Sequence, residues 1–215
     1  MIAGYFGAAH TETSAVSVMQ PALHTDLVLD GVKFRGRSFQ SPIYYGYRVS
    51  YQLPFTRAFS VEAEFVHAKV YAKTEHEVSI SGRRNGMAVD GTEPMDRSVE
   101  ALSISHGLNL ILFNFVARLP VASSSSRLQF TVRLGAGPTL PHGESTIGGR
   151  HREQYEWGAV AAQAAGGVEM RMTHGLSVLG EYKFSRTREA VAVSEGKAQA
   201  LLRTHHGVIG MGYRF

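Results

Sequence analysis

The sequence predicts an all-β fold, a closed eight-stranded antiparallel transmembrane β-barrel with short periplasmic turns and long extracellular loops. Three observations predict it. Apolar and polar residues alternate with a period of two along most of the chain, the connections are short and long by turns, and charges of both signs recur on the polar face of many segments.

Successive side chains of a strand point to opposite faces, so a period of two marks a strand with one apolar and one polar side. In SPIYYGYRVSYQLP, Ile43, Tyr45, Tyr47, Val49, Tyr51 and Leu53 share one face, and Tyr44, Gly46, Arg48, Ser50 and Gln52 the other. Phe59, Val61, Ala63 and Phe65 oppose Ser60, Glu62 and Glu64. Leu128, Phe130, Val132 and Leu134 oppose Arg127, Gln129, Thr131 and Arg133. Leu176, Val178, Tyr182 and Phe184 oppose Ser177, Glu181 and Lys183. Eight strands are expected, at 2–18, 41–54, 58–73, 99–119, 127–140, 155–172, 176–186 and 200–215. Short turns fall at 54–58, 120–126 and 173–175, the serine run 123–126 included, and long polar excursions at 19–40, 74–98, 141–154 and 186–199. Short turns at one end and long loops at the other are the pattern of an outer-membrane barrel. No linker or repeat divides the chain, so 1–215 is expected to be one domain.

Composition agrees. Charged residues make up 19%, below the roughly 25% of an ordinary soluble domain. No run of about 18 apolar residues offers a membrane-spanning helix. The start, MIAGYFGAAHTETS, lacks the basic segment and long apolar stretch of a secretory signal. An exported chain is then expected to be the mature form, or to carry Met1 as an addition. Cysteine is absent, which excludes a disulfide scaffold, a cysteine-based zinc site and a cysteine nucleophile. The net charge is +4, with basic residues interleaved among acids, so no nucleic-acid partner is expected.

The structural rival is a soluble barrel of the lipocalin type, apolar inside and polar outside. The polar face argues against it. Arg48, Glu62, Glu64, Arg118, Arg133, Glu169, Arg171, Glu181, Lys183 and Arg214 come from many strands and carry both signs. Turned into a narrow lumen they neutralise one another, and eight strands leave only enough interior for side chains to fill. That set is a plug, which also disfavours an open channel. A closed barrel pairs its last strand with its first, so the terminal strand must obey the apolar-out rule to its end. In GVIGMGYRF, Ile209, Met211, Tyr213 and Phe215 share one parity. GMGYRF also resembles the C-terminal signal read by the barrel-assembly machinery, with Val208 departing from the usual polar residue. The expected location is the bacterial outer membrane, with outer-membrane lipids and lipopolysaccharide as partners.

The chain has ten histidines. His24, His76, His151 and His174 fall in loops and turns. A tilted strand climbs roughly 2.6 Å per residue, which puts His67, eight residues past Phe59, about 20 Å up, near the outer-leaflet boundary. His205 and His10 reach a similar height, and His142 opens the third long loop. The histidines therefore gather at the external rim, level with lipid headgroups, where an imidazole can ligate a metal, move a proton or contact phosphate. By parity His67, Lys69 and His205 face lipid, whereas His206 and His106 face inward. Inward His106 and His206, with His142 and Glu144 folding over the mouth, are the expected metal cluster, and imidazoles plus a carboxylate suit zinc or iron. A divalent metal is thus the one cofactor class considered; no nucleotide or flavin signature appears. No GxSxG, HExxH or phosphate-loop motif is present. Ser105 adjoins His106, but neighbours on a regular strand face opposite ways, so that pair is expected to be apart.

The stretches SPIYYGYRVSYQL, EFVHAKVYA, HGLNLILFNFVARL, GAGPTLPHGES, GEYKFS and LLRTHHGVIGMGYRF together resemble the OmpA-like eight-stranded outer-membrane barrels identified as lipid A oxidases. The resemblance spans most of the chain outside the long loops. It implies oxygen-dependent oxidation of the proximal glucosamine of lipid A to an aminogluconate at the outer leaflet. The candidate catalytic residues, chosen by composition, height and position in those stretches, are His67, Lys69, His142, Glu144, His205 and His206. The candidate metal ligands are His106, His142 and His206. A non-enzymatic structural or adhesive barrel is the alternative.

Overall fold

The computed structural model describes residues 1–56, 58–121 and 127–215. Fourteen strands occur among these residues: β1 (Ile2–Thr11), β2 (Ser14–Gln20), β3 (Thr25–Val32), β4 (Phe34–Arg35), β5 (Tyr45–Gln52), β6 (Phe59–Ala72), β7 (Glu77–Arg84), β8 (Met87–Pro94), β9 (Ala101–Pro120), β10 (Leu128–Ile147), β11 (Arg150–Tyr155), β12 (Val160–Arg171), β13 (Leu176–Val193) and β14 (Gly196–Tyr213). Eight of them, in the order β1-β5-β6-β9-β10-β12-β13-β14, form an antiparallel ring that the β1–β14 pairing closes. The register of that seam runs from Ile2↔Tyr213 to Thr11↔Thr204. The predicted barrel is therefore the observed one. The predicted serine turn at 123–126 lies outside the described residues.

Burial shows which way the faces turn. Phe6, Tyr47, Val61, Phe113, Phe115, Phe130, Leu134, Tyr182, Ile209 and Tyr213 are exposed on the outer wall. Arg48, Glu62, Glu64, Arg133, Glu181 and Lys183 are buried in the lumen. Three cations there meet three carboxylates. Arg48 lies 3.1 Å from Glu181, 3.6 Å from Glu64 and 3.8 Å from Glu62. Arg133 pairs with Glu62 at 3.1 Å and with Glu181, and Lys183 pairs with Glu64. Tyr5, Asn114 and Gln163 donate to Glu64 at 2.7, 2.9 and 2.7 Å, which satisfies its remaining lone pairs. Arg48 Nε and Nη2 are buried without a hydrogen-bond partner among the described residues, so it is the balance of charge that makes such a network tolerable in a dry interior. Apolar surface outside and neutralised ions inside make this an outer-membrane β-barrel. No helix among the described residues is long and apolar enough to cross a membrane; the strands cross.

Much of the long excursions folds as strand, with 36–44 left as loop. β9 and β10 each run 20 residues and β13 and β14 each run 18, where about 9–11 suffice to span a bilayer. The surplus rises past the apolar belt, which ends on β13 at Phe184, because the next outward residues are Arg186 and Arg188. The expected first strand continues along β14 as β2. From Thr11↔Thr204 to Val16↔Ala200 it advances five residues against four, a one-residue bulge. The hairpin β2–β3 then pairs with β7, and β7 with β8. The β7–β8 turn is Asn85-Gly86, both at positive φ, the turn that matches strand twist. In this outer tier the alternation is reversed. Val16, Val18, Leu27, Leu29, Val78 and Ile80 point inward and are buried, while Asp26, Asp30, Ser79 and Ser81 face water. The barrel thus carries a second storey with an ordinary apolar core.

Candidate functional site

Three polar clusters sit where the two tiers meet. The first lies on the outer face of β6, β9 and β10. Tyr45, His67 and Asn109 are neighbours on adjacent strands. The His67 ring stacks on Tyr45 at 5.0 Å, and its Nδ1 is 2.9 Å from Asn109 Oδ1. Asn109 in turn donates to the Leu140 carbonyl at 2.9 Å. His67 Nε2 is buried with no partner among the described residues. Lys69 is also buried. Its ammonium donates to the carbonyls of Gln40 and Ser41, 3.0 and 3.1 Å away, in the segment between β4 and β5.

Just above, β9 bulges. Between Pro141 and Gly143, β10 advances two residues while β9 runs four, from Leu108 to Ile104. Gly107 takes φ +122°, and a Cβ there would meet the His67 ring at 2.5 Å, so only glycine fits. The bulge suspends strand alternation over 105–107. Ser105 Oγ comes within 3.1 Å of His106 Nδ1 and 3.4 Å of His142 Nδ1. The two imidazoles meet edge-to-face at 4.7 Å, and His142 packs on Tyr155 at 4.3 Å. Glu144 lies further along the same face. Its carboxylate, His151 and Glu153 bring ligand atoms within 4.8 Å of one another.

The second cluster is on the outer face of β1, β13 and β14. His205 Nε2 lies 2.8 Å from Glu12 Oε1, and its Nδ1 lies 2.5 Å from the Tyr182 hydroxyl. His10 stacks beside it at 6.4 Å. The third is internal: His206 is held between Tyr44 Oη at 3.1 Å and Ser185 Oγ at 2.8 Å.

These placements correct the sequence reading at several residues. His67, Lys69, His142 and Glu144 do share one face, on three adjacent strands. His67 and Lys69 have outward parity but are covered by neighbours, not bare to lipid. His205 belongs to a separate cluster across the barrel, and His206 to the lumen. The expected ligand set His106, His142 and His206 is not assembled. The β9 bulge turns His106 out to an exposed position beside His142, while His206 stays inside among buried partners. His142 and Glu144 do not fold over the mouth either, because β10 continues as a strand through Ile147. The Ser105–His106 contact, expected to fail, exists for the same reason, since alternation does not hold within a bulge. Asn109, Tyr155 and Glu12 have no role in the sequence reading, and Tyr182 enters it only as part of an apolar face. Gly107 directly after His106, inside an apolar strand, was the available signal.

The class of protein these features define is an outer-membrane β-barrel with polar clusters at the top of its membrane belt. No family profile matches the sequence, and no curated protein does. Among solved structures the chain is similar to Neisserial surface protein A (NspA), with TM-score 0.39 and 9% identity over 96% of this chain and 94% of that one. It is also similar to Ail, the attachment invasion locus protein of Yersinia pestis, with TM-score 0.35 and 9% identity over 96% and 95%.

Proposed function

We propose that this chain is a non-enzymatic outer-membrane barrel, structural or adhesive, that presents its outer tier to the medium. One observation carries the reading: a barrel plugged by balanced ions supports a second storey of hairpins with its own apolar core. A plugged lumen conducts nothing, and a core of Leu27, Leu29, Val78 and Ile80 holds the exposed hairpin tips in fixed positions. Fixed, polar, protruding tips suit contact with a surface better than passage of a solute. The test compares surface attachment of cells carrying the full chain with cells in which residues 77–94 are replaced by a short linker. Attachment that falls in the second strain, with the barrel still inserted, supports the proposal. Equal attachment in both strains and in cells lacking the gene overturns it.

A second reading has its own observation. His67, Lys69, His106, His142 and Glu144 gather on one face at headgroup height, and His67 Nε2 is left without a partner. This favours action on a lipid headgroup, and with the sequence resemblance it points to lipid A oxidation. Lipid A from cells with and without the gene then differs by one oxygen atom in its mass spectrum, and His142→Ala abolishes the difference. Identical spectra exclude this activity and leave the first reading standing.

A further inference from the structure

Across the barrel from the histidine face, β13 and β14 bring three arginines together. Arg186 and Arg203 are direct cross-strand partners, and Arg188 follows two residues on, opposite Leu201. All three share the outward parity of Tyr182, Phe184 and His205. They are the first charged residues above the lipid-facing belt on these strands. Like charges set directly opposite one another destabilise a strand pair, so the arrangement needs a counter-charge. The protein supplies little. The side chains of Arg186 and Arg188 make no hydrogen bond or ion pair among the described residues, and the strand neighbour of Arg186 on β12 is Ala162. Arg203 has only Glu12, 3.9 Å away, with both side chains about two-fifths exposed at 41% and 39%. The same Glu12 carboxylate already bonds His205 at 2.8 Å. At least two guanidinium groups are therefore in excess on a small patch of outer wall.

We propose that Arg186, Arg188 and Arg203 clamp the phosphate of a phosphorylated outer-leaflet lipid. The planar guanidinium fork matches phosphate oxygens and is weakly hydrated, which suits it to that task. The position selects a lipid over a free anion. The cluster stands directly above Phe184 and Tyr182 of β13, so an acyl chain lying on those rings delivers its headgroup to the arginines. The arginine cluster would hold such a lipid in an adhesive barrel and in an enzymatic one alike.

The test uses the full chain refolded into phosphatidylcholine nanodiscs doped with bisphosphorylated lipid A or with the same lipid stripped of phosphate. Retained lipid is read by native mass spectrometry. Wild type is expected to retain the bisphosphorylated form about a hundredfold better than Arg186→Gln/Arg188→Gln/Arg203→Gln, at about 1 kcal/mol for each arginine near a lipid surface. Arg188→Gln alone loses about fivefold on the same scale, which keeps the test decisive should the triple variant fold poorly. Arg150→Gln/Arg152→Gln, on the β11 hairpin, retains lipid as wild type does. Equal retention by wild type and Arg188→Gln, equal retention of the phosphate-free lipid, or displacement by millimolar inorganic phosphate overturns the proposal.

Discussion

Four long strands, β9, β10, β13 and β14, run through both tiers of this barrel and meet opposite solvents. On β13, Leu176 to Phe184 put apolar groups outward, and Glu181 and Lys183 inward. Seven residues on, Val191 and Val193 are buried inside the outer tier and Arg188 faces out. The backbone continues unbroken; what changes is the medium beside it. Below the rim the outside is hydrocarbon, so polar groups retreat to the lumen and must neutralise one another. Above it the outside is water, so the hydrophobic effect drives apolar groups inward as in any soluble sheet. The interior is therefore ionic within the lower tier and apolar within the upper.

That contrast predicts where single changes hurt most. Lys183→Met leaves Glu64 and Glu181 buried with one cation fewer, and removal of one partner of a buried ion network costs about 3–5 kcal/mol. The barrel should unfold at lower urea by circular dichroism, and Lys183→Met/Glu64→Gln should recover much of the loss. Leu29→Ala, in the upper core, opens a cavity costing about 2–5 kcal/mol. Its effect is local: proteolysis should clip the outer tier while the lower barrel stays folded. If Leu29→Ala unfolds both tiers together, the two are one cooperative unit and the contrast fails.

The outer wall gives a sharper comparison. Phe115 and Val28 both face outward and are similarly exposed, 50% and 44%. Phe115 sits mid-belt on β9 and Val28 on β3 in the upper tier. Phe115→Arg should cost about 2–4 kcal/mol in a bilayer, whereas Val28→Arg should stay within about 0.5 kcal/mol. Unfolding titrations in vesicles measure both, and equal costs would mean that the membrane does not end where the apolar belt does.

How much of this could be read from the sequence follows from the same physics. Where Tyr45 to Tyr51 or Leu128 to Leu134 alternate, period and polarity agree, and strands and faces follow directly. The outer tier reads as loops in the sequence because Asp26, Asp30, Ser79 and Ser81 make its strands look polar, while the buried Val and Leu between them give the same alternation in the reverse sense. The site was harder. Parity placed His67, Lys69, His205 and His206 on the correct sides of the wall. It failed at His106, because a bulge is a local register choice made by β6, β9 and β10 together, and Gly107 was its one visible trace. The Arg186–Arg203 juxtaposition depends on cross-strand register, which a single strand's pattern does not contain.

The smallest expected effect concerns Glu189, outside the membrane on β13, five residues above Phe184. Its carboxylate accepts hydrogen bonds from Thr139 at 2.8 Å and Thr187 at 2.7 Å through one oxygen, while the other oxygen is buried without a partner. Burial raises its pKa above the ordinary carboxylate value, and the hydrogen bonds from Thr187 and Thr139 only partly offset it. A raised carboxyl pKa means that the folded state holds a proton more tightly than the unfolded chain. The group therefore costs nothing below the ordinary value and becomes destabilising as pH rises through the folded value. Glu189→Gln keeps a similar shape and removes the charge. It should make the outer tier more resistant to protease at pH 7, with the gain shrinking toward zero at about pH 4, below the unfolded carboxylate's reference pKa. A gain that instead persists or grows at low pH would show that the carboxylate is stabilised where it stands, and that this edge of the upper core is wetter than its apolar lining implies.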